Sequence, residues 1–223
     1  MEDLPARIDH TVLGPSTTPA DVDEAVATAA DLGTNVCVPP GYVARAASAL
    51  DERDARGRDP AVVTVIGFPH GQNASPVRRH EAALAADDGA DELDVVMDVG
   101  RLLGGEPSAV ESDLAGVLAA VDVPVKAIVC APLLTDAGGG ALETACEIAA
   151  DVGCSHVKTA TGFNGGGASV EAVERMADYL PVKASGGIGS WPEARAMLDA
   201  GAERIGASSG DVIVEEWRAA IVR

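Results

Sequence analysis

Three lysines carry the clearest chemical signal in the chain. Of its 16 Lys and Arg residues only Lys126, Lys158 and Lys183 are lysine, and each directly follows a valine in a short apolar run. A lysine set inside an apolar run is costly to bury unless it is paired or neutralised. Two readings fit: three salt-bridged or snorkelling side chains, or an amine cluster lining a pocket. If the second and third stand on adjacent strands, about 4.8 Å apart, and face the same way, their repulsion disfavours the charged forms and lowers at least one pKa. An amine that is neutral near pH 7 attacks a carbonyl and forms a Schiff base. The protonated imine withdraws electrons from the neighbouring carbon bond and stabilises an enamine, the central need of aldol cleavage or addition. A carboxylate within reach, directly or through water, moves the protons. Asp94, set between Leu93 and Val95, is the candidate; its plainer reading is a helix cap or a salt-bridge partner of a lysine.

A second signal is anion binding. Thr161-Gly162 follows Lys158, Gly186-Gly187 follows Lys183, and Ser208-Ser209-Gly210 follows a further apolar run. Backbone N–H groups and hydroxyls at helix N-termini hold phosphate without a cation. Other chemistries find less support. His10, His70, His80 and His156 have no ligand spacing, so no metal is expected. Ser208 has no His and Asp partners that suit it as a nucleophile. Cys37, Cys130, Cys146 and Cys154 form no CxxC pair and read as buried small hydrophobes in a reducing compartment, with Cys37 and Cys130 near enough to strand ends to border a pocket.

These groups need a frame that brings distant segments to one place. Eight short apolar or β-branched runs recur, at 7–11, 34–38, 61–66, 92–96, 125–129, 156–159, 182–185 and 204–207. Ala-rich segments of helical period lie between most of them, at 19–31, 42–51, 76–88, 108–120, 140–151, 169–179 and 192–200. Thr18-Pro19, Ser75-Pro76 and Trp191-Pro192 mark helix starts, and Gly33, Gly89, Gly153 and Gly201 mark helix ends. Strands alternating with helices in this way predict a (β/α)₈ TIM barrel, a single compact α/β domain over 1–223, whose catalytic groups sit at the C-terminal ends of the strands. A doubly wound open sheet is the alternative. Val12-Leu13-Gly14-Pro15, after the first run, lacks the glycine fingerprint that such a fold usually carries there.

The formal net charge is −19. Such a surface repels phosphodiester backbones and anionic lipid, which argues against nucleic-acid and membrane partners. No apolar run reaches transmembrane length and the first seven residues lack a signal-peptide core, so a cytoplasmic protein is expected. An acidic, Lys-poor, Ala/Val/Gly-rich chain also suits a high-salt cytoplasm, where dense salt screens carboxylate repulsion.

In order along the chain, Ile8-Asp9-His10-Thr11, Val36-Cys37-Val38, Val65-Ile66-Gly67-Phe68-Pro69, Gly89-Ala90-Asp91-Glu92-Leu93-Asp94, Leu133-Leu134-Thr135, Val157 to Phe163, Val182 to Gly187 and Arg204 to Ser209 are similar to the motifs of one family. The sequence resembles deoxyribose-phosphate aldolase in its shorter form. That resemblance implies a (β/α)₈ barrel without metal or organic cofactor, and reversible cleavage of 2-deoxy-D-ribose 5-phosphate to acetaldehyde and D-glyceraldehyde 3-phosphate. It implies Lys158 as the Schiff-base nucleophile, Lys183 as the cation that lowers its pKa, and Asp94 as the carboxylate of a proton relay working with a water. Lys126 would support charge and geometry. Asp9, Thr11 and Thr161 match positions near the substrate hydroxyls; Gly162, Gly186, Gly187, Ser208 and Ser209 match the phosphate cradle. Relatives suggest a homo-oligomer. The chain departs from the pattern at Gly14 and Gly189, where the family usually has a lysine and an arginine; Pro39-Pro40 stands in place of Asn-Pro, and Ala131-Pro132 replaces a more typical Thr-Gly pair. Another imine-forming aldolase acting on a ketose phosphate, and a non-catalytic sugar-phosphate-binding barrel, share the lysines and loops.

Overall fold

A computed structural model describes residues 3–53 and 60–221. Residues 1–2, 54–59 and 222–223 of the expected 1–223 domain lie outside the described residues. Eight parallel strands close in chain order: β1 (Ile8–Thr11), β2 (Asn35–Val38), β3 (Val62–Ile66), β4 (Glu92–Val96), β5 (Val125–Ile128), β6 (His156–Lys158), β7 (Val182–Ser185) and β8 (Ala202–Ala207). β8 pairs back onto β1, with Asp9 opposite Gly206. The barrel expected from the alternation is the fold, and the open sheet is not.

The helices around it are α1 (Pro19–Leu32), α2 (Val43–Glu52), α3 (Ser75–Asp87), α4 (Val99–Leu103), α5 (Pro107–Leu118), α6 (Ala131–Ala137), α7 (Ala141–Asp151), α8 (Val170–Ala177), α9 (Trp191–Asp199) and α10 (Gly210–Ile221). Local chemistry explains their starts. Thr18 and Asp21 form a reciprocal capping box on α1, and the Ser169 and Ser190 side chains accept from backbone N–H groups in the first turns of α8 and α9. α4, α6 and α10 are additions to the seven helices read from the sequence. α4 and α6 are only one to two turns long, too short for a periodic signal. α10 was hidden because its start follows the Ser208-Ser209 turn with almost no intervening loop.

The large core lies between the outer face of the sheet and the helices. Sheet residues such as Val36, Leu93, Val95, Val157 and Ile205 meet helix residues such as Ala29, Ala46, Ala82, Ala145 and Ala194 there, all with no exposed surface. Alanine faces let the helices come close to a short-stranded barrel, which is how a chain with 3% aromatics still fills its core. Each buried Val or Leu there contributes about 1.5–3 kcal/mol.

The barrel interior is different in kind. Side chains two apart on a strand share a face, so inward positions alternate with those of the large core. On the β2–β5 side they form two small apolar clusters, Cys37 with Val63 and Val65, and Val96 with Ile128 and Cys130, with Phe68 packed on both. The remaining interior is filled with charge.

Candidate active site

Strand register brings the lysines together. Lys158 and Lys183 are direct partners across β6 and β7, so both side chains project from the same face, and Asp94 is the direct partner of Lys126 across β4 and β5. All four meet inside the barrel. Lys158 Nζ donates to Asp94 Oδ2 at 2.8 Å, and Lys183 Nζ donates to the same oxygen at 2.6 Å. Lys126 Nζ donates to Asp94 Oδ1 at 3.2 Å. One carboxylate therefore gathers three amines, and the two that share Oδ2 are held within a few ångströms of each other.

Beneath them lies a floor of which the sequence reading named only Asp9, and that as a neighbour of the substrate hydroxyls. Lys183 pairs with Asp9, and Lys126 with Glu92. Arg204 joins both carboxylates, with Nη2 2.5 Å from Asp9 Oδ1 and Nη1 3.3 Å from Glu92 Oε1. Asn35 Nδ2 also donates to Asp9 Oδ1, at 3.0 Å. Strand alternation carried the signal for two of the three missed residues, Glu92 and Arg204. Glu92 stands two before Asp94 and shares its face, and Arg204 stands two before Gly206, which faces Lys183. The charges balance in a specific way: Lys126, Lys183 and Arg204 answer Asp9, Glu92 and Asp94 one for one, and Lys158 is the surplus amine.

The proton affinities follow from this packing. Burial alone would push the Asp94 carboxyl up, but Lys158, Lys183 and Lys126 override it and hold it well below the usual carboxylate range. Asp9 is likewise held far down, against burial, by Lys183, Arg204 and Lys126. Burial would lower Lys183, yet Asp9 and Asp94 raise it above its ordinary value, so it stays an ammonium. Burial pushes the Cys37 thiol up to about 11, which keeps it protonated and inert as a nucleophile at neutral pH.

A cavity of about 620 Å³ opens above this network at the C-terminal mouth of the strands. Lys158 is the one lysine on its wall, reaching it with 4% of its surface exposed, while Lys126 and Lys183 have none. Thr11, Thr161, Gly162, Gly186, Gly187, Ser208 and Ser209 also line the cavity. Asp94, Asp9, Lys126 and Lys183 do not; they lie beneath it. Leu13, Phe163, Ile188 and Glu193 are further wall residues that the sequence reading did not assign to the site. Of the two readings of the lysines, the salt-bridged one describes all three, and the pocket-lining one describes Lys158 alone.

The mouth is fastened strand to strand. Thr159 Oγ1 donates to Ser185 O at 2.9 Å and accepts from Ser185 N at 2.9 Å, and Ser185 Oγ donates to Ala160 O at 2.6 Å. Ala168 N donates to Gly186 O, zipping the loop after β6 to the loop after β7. Two glycines permit these close approaches. A Cβ on Gly167 would run into the Gly186 carbonyl, and one on Gly206 would stand 3.0 Å from Lys183 Cε. All four cysteines are free and buried, and no group of three or more His, Cys, Asp or Glu among the described residues is arranged to hold a metal ion. No helix among the described residues is long and apolar enough to cross a membrane.

Fold and site together define a parallel (β/α)₈ barrel whose mouth exposes one amine of a buried lysine–carboxylate network. Known proteins narrow that class. The chain is 55% identical over 210 residues to the deoxyribose-phosphate aldolase of Natronomonas pharaonis, covering 94% of this chain and 93% of that one. It is 55% identical over 216 residues to that of Halobacterium salinarum, covering 97% and 98%. Among solved structures, an aldolase named QR15 superimposes with a TM-score of 0.90 at 34% identity over all of both chains. The tetrameric deoxyribose phosphate aldolase of Aeropyrum pernix does so at 0.87 with 32% identity, over 97% of this chain and 92% of that one. No protein-family model matches. At these identities and coverages the chain belongs to the deoxyribose-phosphate aldolase family. The relatives from halophilic archaea accord with the acidic, lysine-poor composition.

Proposed function

We propose that this barrel catalyses the reversible cleavage of 2-deoxy-D-ribose 5-phosphate to acetaldehyde and D-glyceraldehyde 3-phosphate through a Schiff base on Lys158. The observation that carries this reading is that the surplus amine of the network is also the one lysine on the cavity wall. Lys158 can lose its proton without stranding a carboxylate, because every carboxylate keeps a cation of its own.

The steps follow from that amine. Lys158 Nζ adds to the C1 aldehyde of the open-chain sugar, and the carbinolamine loses water to give a protonated imine. A base takes the proton of the C3 hydroxyl. The C2–C3 bond breaks, its electron pair moves toward the imine nitrogen, and C3 leaves as the aldehyde of glyceraldehyde 3-phosphate. The remaining enamine is protonated at C2, and water hydrolyses the new imine to release acetaldehyde and restore the amine. Asp94 serves the proton steps with a water: ionised at rest and touching the reacting nitrogen, it takes a proton through that water and returns it in the next step. Lys183, fixed as an ammonium, strengthens the electron pull of the imine that forms beside it. Lys126 ties Asp94 to Glu92 and holds its orientation. Asp9 acts on the substrate through the ammonium of Lys183, which it anchors.

Thr11 and Thr161 stand on the cavity wall to meet the sugar hydroxyls. Gly162, Gly186, Gly187, Ser208 and Ser209 cradle the phosphate, with the first turn of α10 directly behind the two serines. No cofactor enters any step. The chain 1–223 acts as one domain, in a cytoplasm whose reducing conditions suit four free thiols. We carry a homo-oligomer in the same reading, supported by the tetramer of the Aeropyrum pernix relative; sedimentation of the full chain in molar KCl checks it.

Borohydride reduction in the presence of acetaldehyde tests the chemistry directly. The expected product carries one ethyl group on Lys158, located by peptide mapping. An unmodified protein that still binds sugar phosphate would make it a binding barrel, and preferential cleavage of ketose phosphates would make it a different aldolase.

A further inference from the structure

The phosphate end of the cavity holds a carboxylate where a dianion must sit. Among the residues lining the cavity, Lys158 is the one lysine or arginine and Glu193 the one acidic residue. Lys158 belongs to the reacting carbon, at the other end. Glu193 reaches the mouth from the first turn of α9, where its Oε2 accepts from Gly189 N at 2.8 Å and from Ser190 Oγ at 3.0 Å. Those bonds, the backbone one first, hold its carboxyl below the usual range, so it remains charged. They also consume the Gly189 N–H and the Ser190 hydroxyl, two donors that a phosphate oxygen could otherwise take.

The glycines beside it leave this charge unanswered. Gly14 and Gly189 both line the cavity, and neither adopts the left-handed conformation that would require glycine. A Cβ at 14 would find only Thr17 Oγ1, at 3.8 Å; one at 189 would find Glu193 Oε2 at 3.9 Å and Ser209 Oγ at 4.0 Å. Both positions have room for a side chain, and an arginine at 189 would start beside the carboxylate it could neutralise.

We propose that Glu193 is a specificity-determining residue that makes preference for the phosphorylated sugar depend on salt. The inference rests on the aldolase reading above. In dilute salt the carboxylate repels the incoming phosphate, and the cavity treats a neutral 2-deoxy sugar and its 5-phosphate on comparable terms. In dense salt that repulsion is screened while the short hydrogen bonds of the cradle persist. The screening length falls from about 10 Å at 0.1 M to about 3 Å at 1 M. Phosphate preference then emerges. The neutral sugar has no charge at that end and follows no such dependence.

The test is the ratio of kcat/KM for 2-deoxy-D-ribose 5-phosphate to that for 2-deoxy-D-ribose, measured in KCl at about 0.1 M and about 1 M. Because both substrates meet the same enzyme sample, any loss of folded protein at low salt cancels in the ratio. The wild-type ratio is expected to rise by about two- to fivefold with salt, the scale of one exposed charge interaction. Glu193→Gln keeps a side-chain oxygen to accept from Gly189 N and removes the charge. It should raise the low-salt ratio by a similar factor and flatten the salt dependence. Gly189→Arg should move the ratio the same way through a different residue. A wild-type ratio indifferent to salt, or a Glu193→Gln ratio equal to wild type at low salt, overturns the proposal while leaving the aldolase reading intact. Failure of both substrates to be cleaved, with no imine trapped, overturns the aldolase reading itself.

Discussion

At the amine end of the cavity, charge is buried, paired and fixed by strand register. At the proposed phosphate end it is exposed and borne by a single carboxylate, and the groups offered to a ligand are loop backbone N–H groups and hydroxyls. The first end has side chains from β1, β4, β5, β6, β7 and β8 locked into one ionic network, so a change at any member is felt by the rest. The second lines the wall with loop residues that stand outside that network. The lesson is one of coupling: large, non-additive losses are expected at the first end and small, separable ones at the second.

Lys158→Ala gives the largest effect. Turnover and borohydride trapping should both vanish while the circular dichroism spectrum stays native, since a wall residue is removed and its partner Asp94 keeps two cations. Lys158→Arg should be equally dead, because a guanidinium stays protonated and cannot add to a carbonyl. Measurable trapping in either variant would move the nucleophile elsewhere and break the contrast at its root.

Asp94→Asn comes next, and here activity and stability are expected to fall together. Loss of the proton-moving carboxylate should cost about 10²–10⁴-fold in kcat. Breaking a buried ion-pair centre should also destabilise the fold by about 3–5 kcal/mol. Asp94 has its folded pKa depressed, so its contribution is complete above the ordinary carboxylate value of about 4 and fades as pH falls toward the much lower folded value. The stability difference between wild type and variant, from denaturant titration in molar KCl, should be constant from about pH 5 to about pH 9 and narrow below about pH 4. A difference that grew on acidification would mean that Asp94 is not the anchor of the amines.

Lys183→Leu should cost about 10²-fold in kcat at neutral pH, because the imine loses the cation beside it and Asp94 Oδ2 loses one of its two donors. Steady-state kinetics together with borohydride trapping check this. Wild-type turnover in the variant would leave Lys183 as packing alone.

How far these ends were readable differs as sharply as their construction. The amine end was legible because its residues are rare types in apolar runs: three lysines in 223 residues, each on a strand, declare themselves before any fold is known. The strands were placed to within two residues, since hydrophobic runs bounded by glycine and helix caps are strong local signals. Partnership was harder. That Glu92 and Arg204 complete the network depends on one contact between adjacent strands, 34 residues apart, and one across the barrel interior, 112 apart, and without register a charged residue near a strand end reads as solvated. At the phosphate end, glycine and serine loops suggested a cradle. Glu193 stayed invisible because a carboxylate three residues after a serine reads first as a helix cap, which it also is. The short helices α4 and α6 were lost for lack of length.

Gly206→Ala sharpens the comparison from inside the barrel. Its methyl would stand 3.0 Å from Lys183 Cε and 3.1 Å from Ser185 Cβ, so one or both must yield. Overpacking of this kind costs about 1–3 kcal/mol of stability. Because Lys183 shares an oxygen with Lys158, the displacement should also reach the reacting amine and lower kcat by about tenfold, with KM for the phosphorylated sugar less affected. Thermal unfolding together with steady-state kinetics separates the two. A change confined to KM would place Gly206 functionally with the loops.

Ser208→Ala closes the series with the smallest effect. Ser208 is exposed, has no hydrogen-bond partner among the described side-chain contacts, and sits just before α10 on the cavity wall. Its removal therefore leaves no buried group unsatisfied, and stability should move by less than about 0.5 kcal/mol. What it removes is one hydroxyl donor to a charged oxygen, while the N–H groups of the glycine loops and of the α10 first turn remain. A hydrogen bond to a charged group is worth about 1.5–3 kcal/mol in isolation, but a solvated loop with neighbouring donors recovers part of that. The expected result is a KM for 2-deoxy-D-ribose 5-phosphate raised by about three- to tenfold with kcat nearly unchanged. KM for unphosphorylated 2-deoxy-D-ribose should hold. Equal losses for both sugars would show that Ser208 supports the reacting carbon, and the two ends of the cavity would then be one coupled site.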